Sequence, residues 1–234
     1  MISLLRPHGI NMTFRIDRPV LQVALDFTDL QIATRVAEYA IEGGADWLEC
    51  GTPLIKSLGV KAVRVLKSRF RNTPIVADMK TMDTGRLESE LAFNAGADVV
   101  SVLGVADDST IREAVKVARE YDRFIMVDLI NHPHPTRRAK QLTSMGVDIV
   151  LVHVGIDQQT WGADPLELLS EIAKTLDSYL AVAGGLDHKR AAAAVEMGAD
   201  IVIVGRYITR ADDIVGRARM VKNAIMAVLD NRHK

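Results

Sequence analysis

Gly44-Ala45-Asp46-Trp47-Leu48-Glu49-Cys50 is the stretch that decides the fold, because its first three residues return as Gly96-Ala97-Asp98, Gly146-Val147-Asp148 and Gly198-Ala199-Asp200, at intervals of 52, 50 and 52 residues. An apolar run follows each copy. A glycine in this setting stops a helix where a left-handed residue is needed, and the aspartate turns the chain into a buried strand. Four further apolar runs fall between the marked ones, at Val20 to Leu25, Ile75 to Ala77, Phe124 to Val127 and Tyr179 to Ala183. Helical spacing separates the runs, for example over Ile111 to Arg119 and Ala191 to Met197, with an amphipathic last helix near Ala218 to Leu229. Eight strands alternating with eight helices predict an α/β fold, a (β/α)8 TIM barrel. A doubly wound open sheet is the alternative arrangement.

The length of 234 residues fits one such barrel, and no linker or shift of composition divides the chain. Residues 1–18 have no sustained periodicity and read as an N-terminal extension, with Met12 a possible natural start; residues 19–234 read as the barrel domain. With 48% apolar residues, 25% charged residues and a net charge of −1, nothing in the composition attracts nucleic acid or an anionic membrane. The single Cys50 excludes an internal disulfide framework and suits a reducing compartment. No apolar run is long enough to span a membrane and the N-terminus lacks a signal-peptide core, so a cytoplasmic enzyme is expected.

Active sites of this fold lie at the C-terminal ends of the strands, where the polar residues of this chain also fall. Asp26 ends the first strand, Glu49 the second, Asp78 and Lys80 the third, Asp128 the fifth and His153 the sixth. In Val76-Ala77-Asp78-Met79-Lys80-Thr81-Met82-Asp83, strand alternation turns Asp78 and Lys80 the same way and Met79 the other, with Asp83 in the following loop. A solvated ion pair is the plainer reading of that segment. Each charged strand end taken alone, Asp128 included, is more often a loop anchor, but together they converge on the barrel mouth.

Strands seven and eight end instead in Ala183-Gly184-Gly185 and Val204-Gly205-Arg206. Glycine lets the backbone approach a ligand with its N–H groups free, Arg206 adds charge, and this is the usual phosphate position in a barrel. A phosphorylated small molecule is the expected substrate. Glu49 and Asp78, oxygen ligands on adjacent strands, suit Mg²⁺ or Mn²⁺ that keeps open positions for substrate oxygens. A divalent ion bridging a ketone and its neighbouring hydroxyl would stabilise an enediolate, and Lys80, Asp83 and His153 stand where protons would move.

The segments Leu21-Gln22-Val23-Ala24-Leu25-Asp26, Glu49-Cys50-Gly51-Thr52-Pro53-Leu54, Ala77 to Asp83, and Val152-His153-Val154-Gly155-Ile156-Asp157-Gln158-Gln159 resemble the 3-hexulose-6-phosphate synthases of the orotidine monophosphate decarboxylase superfamily. The resemblance runs from about Pro19 to the end. It implies magnesium-dependent, reversible aldol addition of formaldehyde to D-ribulose 5-phosphate, giving D-arabino-3-hexulose 6-phosphate. It also implies that Glu49 and Asp78 hold the metal and that Lys80 serves the enediolate and its protons. Asp26 would contact substrate hydroxyls and Lys80, His153 would carry the proton near the reacting carbon, and Gly184, Gly185, Gly205 and Arg206 would hold the phosphate. A homodimer with interface active sites is implied too, with Asp83 serving the neighbouring subunit.

Two rival functions follow. A 3-keto-L-gulonate 6-phosphate decarboxylase would use the same acidic and lysine machinery, but similar decarboxylases have an arginine three residues after the histidine, where this chain has Ile156. A barrel that binds sugar phosphate without turnover is the rival of another class. Other features read as structural: His132-Pro133-His134-Pro135 as a rigid loop rather than a metal tract, Trp47 and Trp161 as packing, Cys50 as an unactivated thiol, and Arg137, Arg138 and Lys140 as a solvated helix start.

Overall fold

The structure is a computed structural model that describes residues 16–159, 164–174 and 176–232, with side chains as far as Leu229. Its order is β1 (Val20–Leu25), α1 (Leu30–Glu42), β2 (Trp47–Cys50), α2 (Thr52–Leu58), α3 (Lys61–Arg69), β3 (Ile75–Thr81), α4 (Gly85–Asn94), β4 (Val99–Leu103), α5 (Asp108–Tyr121), β5 (Phe124–Asp128), α6 (Pro135–Ser144), β6 (Ile149–His153), α7 (Ile156–Gln159), α8 (Pro165–Ala173), β7 (Tyr179–Ala183), α9 (His188–Glu196), β8 (Ile201–Val204), α10 (Arg206–Thr209) and α11 (Ile214–Arg232). The eight parallel strands close in sequence order, with β8 paired to β1. This is the (β/α)8 barrel and not the open sheet. The one-helix-per-strand expectation is exceeded, because β2, β6 and β8 are each followed by a short helix as well as a long one.

Both faces of every strand are covered, which is why the strands read as unbroken apolar runs. Leu21, Val23, Leu48, Val100 and Val202 face the helices, while Val20, Trp47, Val99, Phe124, Ile149 and Ile201 fill the barrel interior. Trp47 is therefore packing, as its apolar strand implied; Trp161 and residues 1–15 lie outside the described residues.

The repeat does more than turn the chain. Gly44, Gly96, Gly146 and Gly198 all take positive φ after a helix, as expected of a helix stop. Each repeat aspartate then reaches sideways to the strand before its own: Asp46 accepts the N–H of Leu21 (2.8 Å), Asp98 that of Ile75 (2.9 Å), Asp148 that of Ile125 (2.9 Å) and Asp200 that of Leu180 (2.8 Å). Four carboxylates thus close the barrel floor, satisfying strand-end donors that no ladder partner reaches. Cations reinforce the floor: Arg18 and Lys222 at Asp46, Lys67 and Arg123 at Asp98, Arg119 at Asp148. Asp98→Ala would orphan the Ile75 N–H. The expected loss is about 2 kcal/mol, roughly 4–8 °C in the melting midpoint, with turnover per folded molecule unchanged because the floor is remote from the strand C-termini. Thermal melts alongside steady-state assays check this.

Arg138 departs from the expected solvated helix start. It is buried, donating from Nε to the Gly104 carbonyl (2.8 Å) and from a terminal nitrogen to the Ala106 carbonyl (3.1 Å), and it pairs with Asp108 (2.6 Å). Its planar fork matches several acceptors at once, so it clamps the loop between β4 and α5.

Candidate active site

Strand alternation fixes which residues look inward. Counting by two from Val20, Trp47, Val76, Phe124 and Ile149 along their strands reaches Asp26, Glu49, Asp78, Asp128 and His153, so all five share the inner parity and stand at the C-terminal ends. Asp26, Glu49, Asp78 and His153 line, with Lys80, a mouth cavity of about 690 Å³ whose wall also includes Ser101, Ile156, Gln159, Gly184, Gly185 and Arg206, while Asp128 is buried in contact with Lys80 and His153.

Lys80 points into this ring by a route that simple alternation did not foresee. The register of β3 against β4 shifts between Ala77 and Thr81, and Lys80 takes φ 49°, a left-handed conformation that non-glycine residues adopt at a cost. Ser101 on β4 holds that kink: its hydroxyl oxygen accepts the Lys80 N–H (3.0 Å) while its proton goes to Asp78 Oδ1 (2.8 Å). Met79 packs outward against the helical layer, as expected.

Asp78 is the hub. Its Oδ2 receives the Lys80 ammonium (2.6 Å) and the Thr52 hydroxyl (2.6 Å). Burial alone would raise its pKa, but Lys80, Thr52 and Ser101 together hold the carboxyl below its ordinary value. Burial would likewise depress Lys80; the carboxylates of Asp78, Asp128 and Glu49 overcome it and keep the amine above its ordinary range, firmly cationic. Asp128, fully buried, lies 3.6 Å from Lys80 Nζ and accepts His153 Nδ1 at 2.8 Å. A carboxylate on Nδ1 fixes the imidazole with Nε2 as the nitrogen left for a proton in the cavity. Asp128 thus joins Lys80 and His153 through Oδ2 while its Oδ1 anchors the loop after β5 by accepting the Ile130 N–H (2.8 Å), as its strand-end position suggested.

Glu49 is pushed well above its usual value, first by burial and then by the neighbouring charges of Asp78 and Asp26. Asp26 stands at the rim, raised by the low-dielectric surroundings and by Asp78. Gly51 makes room for it: a Cβ there would collide with Asp26 Oδ1 and the Leu25 backbone. Cys50, facing the opposite way, is raised to about 12 by burial, which leaves its thiol unactivated.

At the far side of the mouth Gly184 and Gly185 both take positive φ, and a Cβ on Gly184 would strike the Val154 carbonyl. Arg206 begins α10 beside Gly205, and Tyr207 joins the two loops through a 2.7 Å hydrogen bond between its hydroxyl and His188 Nδ1. Stacking of the two rings and Arg217 over the Tyr207 face support the same clip. Neither His188 nor Tyr207 was foreseen; nothing in their local sequence distinguishes them.

Asp83 is the expected site residue that its own barrel does not bring to the mouth. It is exposed, caps the Thr84 N–H and lines a separate outer groove of about 450 Å³ with Arg86, Leu87, Ser109 and Glu113. His132 and His134 sit in their loop with His132 Nδ1 accepting the His134 N–H, as a rigid turn does. No group of three or more His, Cys, Asp or Glu side chains poised to hold a metal occurs among the described residues. Glu49 and Asp78 still fit Mg²⁺, which takes one or two carboxylates and completes its shell with water and substrate oxygens.

A closed parallel barrel carrying acid, base and cation side chains at its strand C-termini defines an enzyme of the (β/α)8 class. The family model of the "Orotidine 5'-phosphate decarboxylase / HUMPS family" matches residues 19–221, and the chain belongs to that family. It is 38% identical over 206 residues to a "3-hexulose-6-phosphate synthase" of Staphylococcus haemolyticus, covering 88% of this chain and 98% of that protein. The crystal structure of 3-hexulose-6-phosphate synthase from Salmonella typhimurium is similar at 36% identity with a TM-score of 0.86, covering 89% of this chain and 99% of that one. A 3-keto-L-gulonate-6-phosphate decarboxylase from Vibrio cholerae is similar at 29% identity with a TM-score of 0.80, over 90% and 99% of the two chains.

Proposed function

We propose that the chain is a 3-hexulose-6-phosphate synthase that joins formaldehyde to D-ribulose 5-phosphate. The observation that carries the reading is the linked set Asp78–Lys80–Asp128–His153 at the mouth, a fixed cation between two carboxylates with an oriented imidazole beside it. Such a set is suited to forming and quenching an enediolate. The names of the relatives at 36–38% identity point the same way.

Mg²⁺ held by Glu49 and Asp78 would supply positive charge to the ketone and the neighbouring hydroxyl of the sugar phosphate. His153 moves the proton at C1, the carbon that reacts. Lys80 stabilises the enediolate oxygens, Asp26 orients the substrate hydroxyls, and Gly184, Gly185, Gly205 and Arg206 hold the phosphate. C1 loses a proton, bonds to the formaldehyde carbon, and the former aldehyde oxygen gains a proton, so the addition balances without a further reactant.

The decarboxylase reading shares this machinery. Ile156 favours the synthase: it lines the cavity with an exposed apolar side chain where a carboxylate substrate would need a cation. A homodimer completes the reading, since Asp83 and the exposed Met82, Leu87 and Leu91 lie on one outer stretch that a second copy can cover. Among the described residues no helix is long and apolar enough to cross a membrane; a cytoplasmic location is part of the reading, supported by the single, buried Cys50, which suits a reducing compartment.

Incubation with ribulose 5-phosphate, formaldehyde and Mg²⁺ should consume formaldehyde and stop on addition of EDTA. Release of CO₂ from 3-keto-L-gulonate 6-phosphate at a higher kcat/KM would move the assignment to the decarboxylase.

A further inference from the structure

Gln22 stands on β1 inside the barrel, in register with Trp47, and is fully buried among Val20, Ala24, Trp47 and Ile203. Its Nε2 donates to Glu49 Oε2, while its Oε1 is buried with no hydrogen-bond partner among the described residues. For stability alone glutamine is the wrong residue here, because an apolar side chain of the same length would pack the layer without an orphaned carbonyl. The amide is explained by what it does for Glu49.

A glutamate side chain has three rotatable bonds, and among the described residues no other hydrogen bond fixes where this carboxylate points. With Oε2 tied to the β1 wall, the carboxylate is fixed beside Asp78 at the cavity floor. A neutral donor also suits the task better than lysine or arginine would, since it adds no positive charge that would compete with a cation at Glu49. We infer that Gln22 is a positioning residue that sets Glu49 for the divalent ion. It does not line the cavity, so it reaches the chemistry only through Glu49. This inference rests on the proposed metal role of Glu49.

The test is Mn²⁺ binding to the metal-free full-length protein, read from the electron paramagnetic resonance signal of free Mn²⁺ without any turnover. Gln22→Met removes the amide and keeps the volume; Gln22→Asn keeps an amide but withdraws it from reach and serves if the first variant does not fold. The dissociation constant should rise about 10–100-fold in both, with kcat regained at saturating Mn²⁺ and the KM for the sugar phosphate little changed. Wild-type Mn²⁺ affinity in the Gln22 variants, with binding lost in Glu49→Gln, would overturn the inference alone. Wild-type affinity in Glu49→Gln as well would remove the metal role of Glu49, and the inference with it.

Discussion

A Lys80→Met protein is expected to lose about 10³-fold in kcat/KM while still binding an unreactive polyol phosphate, because the lysine supplies charge to the enediolate and not to the phosphate. Its ammonium sits 2.6 Å from Asp78 and 3.6 Å from Asp128, and these carboxylates keep it protonated in the free protein. It therefore acts first as a fixed positive charge, and methionine matches its length without that charge. The same variant tests whether the site is shared between subunits. Lys80→Met mixed with Asp83→Ala, each inactive alone, should recover activity in about a quarter of the sites if Asp83 serves the neighbouring subunit of a two-fold dimer. Equilibrium binding and subunit-exchange assays check both parts; no recovery on mixing would confine the chemistry to one chain.

Glu49→Gln should separate function from stability in the opposite sense. Activity is expected to fall by at least about 10³-fold, the several kcal/mol that a divalent ion contributes to an anionic transition state. The metal-free protein should nevertheless melt higher. Glu49 is a buried carboxylate opposed by Asp78 and Asp26, and its neighbour Gln22 carries an orphaned Oε1. The substitution removes the buried acid and brings an amide N–H that can satisfy that oxygen. A gain of about 1 kcal/mol corresponds to roughly 2–4 °C in a chain of this size. Differential scanning calorimetry in EDTA, beside turnover in Mg²⁺, would show it; a lower midpoint with unchanged activity would make Glu49 structural.

The barrel was legible in the sequence because its signals are local and repeated. Gly44-Ala45-Asp46 and its three copies mark alternate strands, and the inner parity of Asp26, Glu49, Asp78, Asp128 and His153 follows once those strands are placed. What could not be read was contact between strands far apart in the chain. Ser101 and Thr52 look ordinary in sequence and meet only at Asp78, and Asp128 gains its role from Lys80 and His153 across two strands. The left-handed Lys80 had no signal either, since its backbone is set by a register shift against β4 and not by a glycine. Gln22 belongs to the Leu21–Asp26 segment, yet only the folded barrel reveals an amide whose one hydrogen-bond partner among the described residues is Glu49. The position of Asp83 outside its own mouth was equally invisible to periodicity, because a short loop can turn either way.

The most direct measurement follows the carbon itself. With ¹³C-formaldehyde and unlabelled ribulose 5-phosphate, nuclear magnetic resonance should show the label entering the terminal hydroxymethyl carbon of a hexulose 6-phosphate, coupled to no second ¹³C, at a rate abolished by EDTA. Label that stays in formaldehyde hydrate, in a protein that binds ribulose 5-phosphate, would contradict aldol chemistry at this site and leave a barrel that holds sugar phosphate without forming the bond.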